Sequence, residues 1–140
     1  MSRWLNRFQP WGLLILRVAL GASMFYHGWL KVAPSGVLHG HPFAGLQRSA
    51  HFVAALGLPG WLGYVSALTE FLGGFCLLIG LLTRLFGFLV SINMLVAIFA
   101  VTIHRGYSTS ELPIALFSMA LMVLFAGPGK LAADRRLGLS

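Results

Sequence analysis

The sequence predicts an all-α integral membrane protein: a bundle of four transmembrane helices with a short surface helix between the first and the second. Of its 140 residues, 58% are hydrophobic and only 9% are charged, far below the quarter of charged residues usual in soluble domains. The chain contains four long apolar runs, and a helix needs roughly 20 such residues to cross a bilayer. One domain over residues 1–140 is therefore predicted.

The apolar runs place the four spans at about 11–32, 61–82, 85–104 and 112–126. Ser110 is predicted to cap the last helix, and Pro113 then lies in its first turn, where a missing N–H leaves no helical bond unmade. The Gly-Pro-Gly stretch at 127–129 ends that helix. Residues 43–56 carry apolar side chains on one side, which favours a short helix on the membrane surface or over the bundle, with an ordered loop as the alternative.

Basic residues are unevenly distributed between the two predicted sides of the membrane. The net charge of +7 would suggest nucleic acid in a soluble protein, but in a membrane chain it points to lipid headgroups, and no nucleic-acid partner is expected. Four spans put both termini on one side, which carries Arg3, Arg7, Arg84, Lys130, Arg135 and Arg136. The positive-inside rule predicts that this side is cytoplasmic. The single cysteine, Cys76, excludes an intramolecular disulfide.

Few ionisable side chains lie within the predicted spans. Each costs on the order of 2.5 to 3.5 kcal/mol at membrane depth and so needs a partner or a function. Arg17 of the first span and Glu70 of the second are the predicted ion pair. The pair could support chemistry, or it could only join two helices.

Helical phase, at roughly 100° per residue, gives every span one polar or small-residue stripe. The four stripes are Arg17, Gly21, Met24, Gly28 and Lys31; Gly63, Ser66, Glu70, Gly74 and Leu77; Asn93, Ala97, Ala100 and His104; and Glu111, Ala115, Ser118 and Met122. Such stripes avoid lipid when they face one another, so we expect a bundle with a polar interior.

A candidate site follows from this polar interior. Its catalytic candidates are Glu70 as proton acceptor or donor, Arg17 as the group that holds it, and His27 or His104 as the route to the outer aqueous side. The candidate ligand-binding residues are Lys31, Asn93, Met24, Ser66, Tyr26 and Trp29. Tyr26 and Trp29 could equally belong to an aromatic belt at the interface. Haem ligation by His27 and His104 is a less favoured alternative, and no metal site is predicted.

Seven short motifs, in order, resemble those of the DoxX family of small four-helix membrane proteins. They are LRVALG at 16–21, HGWLK at 27–31, LGLP at 56–59, EFLGG at 70–74, GLLTR at 80–84, NMLVA at 93–97 and GPGKL at 127–131. The resemblance extends over nearly the whole chain, and the ordered set is far more specific than any one motif.

The resemblance implies a multi-pass protein of a bacterial or archaeal plasma (inner) membrane. The family takes its name from a subunit of a thiosulfate:quinone oxidoreductase, and other relatives are linked to oxidative stress and to redox partner enzymes. It therefore implies a redox-associated subunit that binds a quinone or another lipophilic small molecule within the bundle. The alternative is a non-catalytic scaffold or assembly subunit for a partner oxidoreductase, and a homo-oligomer also remains open.

Overall fold

The computed structural model describes residues 4, 6–32, 43–102 and 106–139, and these form helices and turns with no strand. The helices are α1 (Gln9–Val32), α2 (Ala44–Ala55), α3 (Trp61–Ile79), α4 (Thr83–Val96), α5 (Tyr107–Ala126) and α6 (Ala133–Leu137). A π-helical segment, Ala97–Thr102, directly continues α4. Four helices are long and apolar enough to cross a membrane: α1, α3, α4 with its π-helical segment, and α5. The predicted fold class and the helix between the first two spans are confirmed.

α1 and α4 each begin two residues before the predicted limits, and two other helix ends differ by more. α3 stops at Ile79 because Gly80 adopts a left-handed conformation (φ 73°), which closes a helix at little cost for glycine. α5 begins at Tyr107, so the prediction that Ser110 caps it is wrong. Ser110 is buried within the helix, and its hydroxyl donates to the Gly106 carbonyl at 3.4 Å. The extra turn makes the fourth span 20 residues long.

The four long helices form a ring in which α1 contacts α3 and α5, and α4 contacts the same two helices. Apolar side chains fill its centre: Leu20, Met24, Leu77, Val90, Met94, Leu116, Ala120 and Val123. The predicted polar interior is therefore wrong for this core. The buried charged groups lie on either side of it along the helix axes: Arg17 and Asp134 on one side, and Glu70, at the midpoint of α3, on the other.

The polar stripe predicted for the fourth span faces outward. Glu111, Ala115, Ser118 and Met122 are all exposed, whereas Leu116, Ala120 and Val123 of the same helix are buried. The Ser118 hydroxyl donates to the carbonyl of Ile114 at 2.9 Å. Because this bond satisfies it within its own helix, Ser118 needs no partner from another helix. His104, in the stripe predicted for the third span, lies outside the described residues.

Glycines allow α1 to contact α3 along its backbone. A Cβ at Gly28 would clash with the backbone of Phe71, and one at Gly74 would clash with the backbone of Phe25. The rings of Phe25 and Phe71 stack beside this contact at 5.2 Å. Small residues are typical of such close helix contacts in membranes. At Gly63, α2 approaches α3 in the same way, through the backbone of Ser49 and Ala50.

The start of α1 and the chain segment after α5 meet at one end of the bundle, which we call the terminal end. The Lys130 amide donates to the Pro10 carbonyl at 3.1 Å, and the Asp134 amide donates to the Gly80 carbonyl at 2.9 Å. We call the opposite end, where α2 lies, the distal end. The two ends carry different groups of charged residues, which are described next.

Candidate functional site

A buried carboxylate, Glu70, is the centre of a polar cluster towards the distal end. Its side chain is 6% exposed and lies beside the ammonium of Lys31, with Nζ 2.7 Å from Oε1 and 2.6 Å from Oε2. Asn93 donates from Nδ2 to the same Oε1 at 3.0 Å, and the Ser66 hydroxyl donates to it at 3.4 Å. We call Lys31, Ser66, Glu70 and Asn93 the cavity cluster. It joins α1, α3 and α4.

The close contact between α1 and α3 positions the ion pair. Gly28 lies against the backbone of Glu70 and Phe71, and Lys31 follows three residues later on the same face of α1. Its side chain therefore reaches the carboxylate of Glu70, and the Lys31 side chain remains 36% exposed. Partial exposure lets this ammonium stay hydrated, whereas Glu70 depends on protein partners.

The two carboxylate oxygens of Glu70 differ. Oε1 accepts three hydrogen bonds from the other members of the cluster. Oε2 lies 2.6 Å from the Lys31 ammonium, its ion-pair partner, and accepts no further hydrogen bond from the described residues. A buried carboxylate oxygen normally has a hydrogen-bond donor. Oε2 therefore depends on the partly exposed Lys31 ammonium alone.

The cluster borders a cavity of about 500 Å³ between α2, α3, α4 and the end of α1. Its walls are mainly apolar, and α5 contributes none of them. The lining includes Leu30, Phe52, Val53, Leu62, Val65, Leu89, Ile92 and Val96. An apolar cavity of this size with a few convergent polar groups is typical of small-molecule sites.

Of the residues predicted from the sequence, the structure brings four to this cavity: Lys31, Ser66, Glu70 and Asn93. Met24 instead lies in the apolar core, 1% exposed. Prediction and structure agree on the polar members because an ionisable or amide group within a span requires a partner.

The aromatic and histidine candidates on α1 do not line the cavity. Tyr26 and Trp29 are 61% and 50% exposed, consistent with the predicted alternative of an aromatic belt. His27 is half-buried, and its ring meets the edge of the Tyr26 ring at 5.8 Å. His104, the second predicted proton carrier, lies outside the described residues, so its role stays a prediction.

The predicted pairing of Arg17 with Glu70 is wrong. Arg17 is 1% exposed at the terminal end, where Nη1 donates to the Pro128 carbonyl at 2.6 Å and Nη2 to the Leu131 carbonyl at 3.4 Å. Its guanidinium lies against Gly80, ten residues and so roughly 15 Å along the helix from Glu70. Arg17 therefore has no part in the cavity.

Asp134 completes this second group of polar residues. Its carboxylate accepts hydrogen bonds from the backbone amides of Leu82 at 2.6 Å and Thr83 at 2.8 Å, where α4 begins. A carboxylate is favourable there because the first amides of a helix have no helical acceptor. We call Arg17 and Asp134, with their backbone partners, the terminal cluster. Its hydrogen bonds join side chains to backbone and fix the C-terminal segment to the bundle.

Several residues that line the cavity were not predicted as part of a site, among them Thr69, Arg48 and Ser49. Thr69 directly precedes Glu70, but helical phase alone assigns it to a different face. Ala97 and Ala100, which belong to the stripe predicted for the third span, line the cavity together with Val101, and all three lie in the π-helical segment. Such segments are frequent at functional sites, but the sequence carries no signal for one here.

The fold and the cavity define a multi-pass membrane protein with a buried polar cluster in the wall of an apolar cavity. The family model of DoxX matches residues 12–104, about two thirds of the chain, and this chain belongs to the DoxX family. It is also 29% identical, over 93% of its length and 90% of the relative's, to a Bacillus subtilis (strain 168) protein named "Putative oxidoreductase CatD". No solved structure matches the chain significantly.

Proposed function

We propose that this DoxX protein is a membrane redox component that binds a quinone, or a similar lipophilic small molecule, in the cavity beneath α2. One observation carries the proposal: the buried Glu70 carboxylate and the partly exposed Lys31 ammonium lie together in the wall of a largely apolar cavity. A flat apolar ring with polar substituents matches those surroundings. The relative's name, which includes the word oxidoreductase, agrees with a redox role.

The rim of the cavity supports entry of the ligand from the bilayer. Phe52, Val65, Ile92 and Val96 line the cavity and are also 44% to 48% exposed. In a helix that crosses a membrane, exposed apolar side chains face the lipid tails. A lipid-soluble molecule could thus pass between α3 and α4 without first entering water.

The polar residues suggest distinct roles at the ring. Glu70 would return a proton to a quinone oxygen in reduction and accept one from a quinol hydroxyl in oxidation, Lys31 would donate a hydrogen bond to a ring oxygen, and Asn93 would orient the carboxylate. Reduction of a quinone to a quinol takes up two electrons and two protons. We assign the protons to the cavity cluster and the electrons to a partner oxidoreductase.

The same proposal includes an orientation. Arg7, Arg84, Lys130, Arg135 and Arg136 lie in or beside the segments at the terminal end. The positive-inside rule places such a group in the cytoplasm. The cavity would then lie in the outer half of a bacterial or archaeal plasma membrane, and protons would reach it from the outer side.

Replacement of Glu70 tests the proposed site. Glu70→Gln keeps the shape but removes a charge-assisted acceptor that contributes about 1.5 to 3 kcal/mol, so the affinity for a short-chain benzoquinone should fall about tenfold or more. Titration calorimetry in detergent measures the affinity, and circular dichroism checks the helix content. Glu111→Gln is the matched control, because Glu111 is exposed on α5, outside the cavity lining. Equal quinone affinity in Glu70→Gln and parent would refute the site.

A non-catalytic scaffold is the second candidate, favoured by the outward stripe on α5. Glu111, Ala115, Ser118 and Met122 are exposed along one side of that helix, and small or polar residues on a membrane helix often mark contacts with another helix. Crosslinks from this stripe to a copurified oxidoreductase, with no small molecule released from the purified protein, would favour the scaffold. A quinone identified by mass spectrometry among released molecules would favour the redox site.

A further inference from the structure

A second concave site lies at the terminal end, away from the cavity of the proposed function. It has a volume of about 350 Å³ and lies between the start of α1, the start of α4, the end of α5 and α6. Arg84 and Arg135 line it, and α1 contributes Gln9, Pro10 and Leu13 to the lining. We call it the arginine pocket.

Arg84 is held by the fold, and neither arginine has an acidic partner among the described residues. Arg84 donates from Nη1 to the Leu124 carbonyl at 3.2 Å, which leaves its other N–H groups free to bind. Arg135 follows Asp134, whose carboxylate is bonded to two backbone amides of the Leu82–Thr83 turn. Among the described residues, no side-chain carboxylate lies within 4 Å of either guanidinium. Two guanidinium groups that line one pocket without a carboxylate partner favour an anion, and the planar guanidinium fork matches a phosphate.

The position of the pocket indicates where that phosphate comes from. α1 begins at Gln9, α4 begins at Thr83 and α5 ends at Ala126, so three membrane spans end at this pocket. That is the depth of lipid headgroups. Exposed apolar side chains lie close by in the chain: Trp11, Phe125 and Leu131 are 43%, 73% and 71% exposed. They offer contacts for acyl chains beneath a bound headgroup.

We infer that the arginine pocket binds the phosphate of an anionic phospholipid, with Arg84 and Arg135 as its ligands. Such a lipid would bridge α4 and α6 at the point where the C-terminal segment joins the bundle. Basic pockets between membrane helices are known to hold anionic headgroups in this way. The inference does not depend on what occupies the cavity beneath α2.

Native mass spectrometry of the full chain, in detergent containing either phosphatidylglycerol or phosphatidylcholine, tests the inference. The parent should retain phosphatidylglycerol in preference to phosphatidylcholine. The Arg84→Gln/Arg135→Gln double variant should retain about fivefold less phosphatidylglycerol for each arginine removed. Arg7→Gln/Arg136→Gln is the matched control, because it removes the same charge at the same end from residues that do not line the pocket.

Equal lipid loss in the two double variants would overturn the inference, since general surface charge would then explain the binding. Displacement of phosphatidylglycerol by a large excess of inorganic phosphate would overturn the lipid as the occupant and indicate a soluble phosphate. If the variant with Arg84→Gln does not fold, the Arg135→Gln single variant should still retain about fivefold less phosphatidylglycerol than Arg136→Gln. Equal retention in those two single variants would refute the site.

Discussion

The terminal cluster and the cavity cluster both bury charge, but they use it differently. At the terminal end, Arg17 and Asp134 bond to backbone carbonyls and amides. At the cavity, Lys31, Asn93 and Glu70 bond to one another, and the Lys31 ammonium stays partly exposed. Charge bonded to backbone fixes the ends of helices, whereas side chains that bond to one another in a cavity wall can exchange those bonds for bonds to a ligand. The comparison therefore separates a structural site from a candidate functional one.

The largest effect on stability is expected at the terminal cluster. Asp134→Ala removes both hydrogen bonds to the first amides of α4, each worth about 1.5 to 3 kcal/mol as a charge-assisted bond. The free energy of unfolding should fall by about 3 kcal/mol or more, measured by denaturant unfolding in detergent. Asp134→Asn retains one acceptor oxygen, so its free energy of unfolding should lie between those of Asp134→Ala and the parent. An Asp134→Ala protein as stable as the parent would contradict a structural role for this cluster.

A smaller effect, on both stability and the cavity, is expected at the contact between α1 and α3. Gly28→Ala places a methyl group against the Phe71 backbone, which forces the helices apart at a cost of about 1 to 3 kcal/mol. The shift also separates Lys31 from Glu70, so quinone affinity should fall as well. Gly12→Ala on the same helix is the control, because nothing lies within 4 Å of the added Cβ. Unchanged affinity in a destabilised Gly28→Ala protein would show that the pair does not depend on this contact.

The smallest effect is expected from Ser66→Ala within the cavity cluster. Its bond to Glu70 is long, at 3.4 Å, and Lys31 and Asn93 still satisfy the same oxygen. We expect a loss of about 0.5 kcal/mol or less in stability and a change of about twofold in quinone affinity. Ser118→Ala on the exposed side of α5 provides the reference for removal of a hydroxyl. A large loss of affinity in Ser66→Ala alone would make Ser66 a direct ligand contact.

Composition and apolar run length were sufficient to predict the fold class, since four long apolar segments leave few alternatives. The helix over 44–55 followed from its apolar side. The start and the inward face of α5 were harder to predict, because its side chains are apolar on nearly every face. Ser110 and Ser118 bond to carbonyls at the start of the helix or within it. Neither its start nor its inward face could be read from the sequence.

The central residue of the candidate site, Glu70, was predicted, but its ion-pair partner was not. The cost of burying a carboxylate pointed to Glu70, but Arg17 and Lys31 lie on the same face of α1 and were equally eligible by helical phase. The choice depends on the register of two antiparallel helices. Gly21 lies opposite Leu77 and Leu78, and Gly28 opposite Phe71, so that Arg17 falls beyond the end of α3. One sequence shows which residues share a face but not this axial offset.

The bond from Arg17 to the Pro128 carbonyl joins residues 111 positions apart in the chain. During synthesis, the guanidinium thus reaches the membrane long before its acceptor exists, so water or lipid headgroups must solvate it at that end of the first span until translation is nearly complete. A polypeptide interrupted before residue 128 would lack the segment that covers this arginine. All four spans could be inserted in such a product while its terminal end stayed open to water.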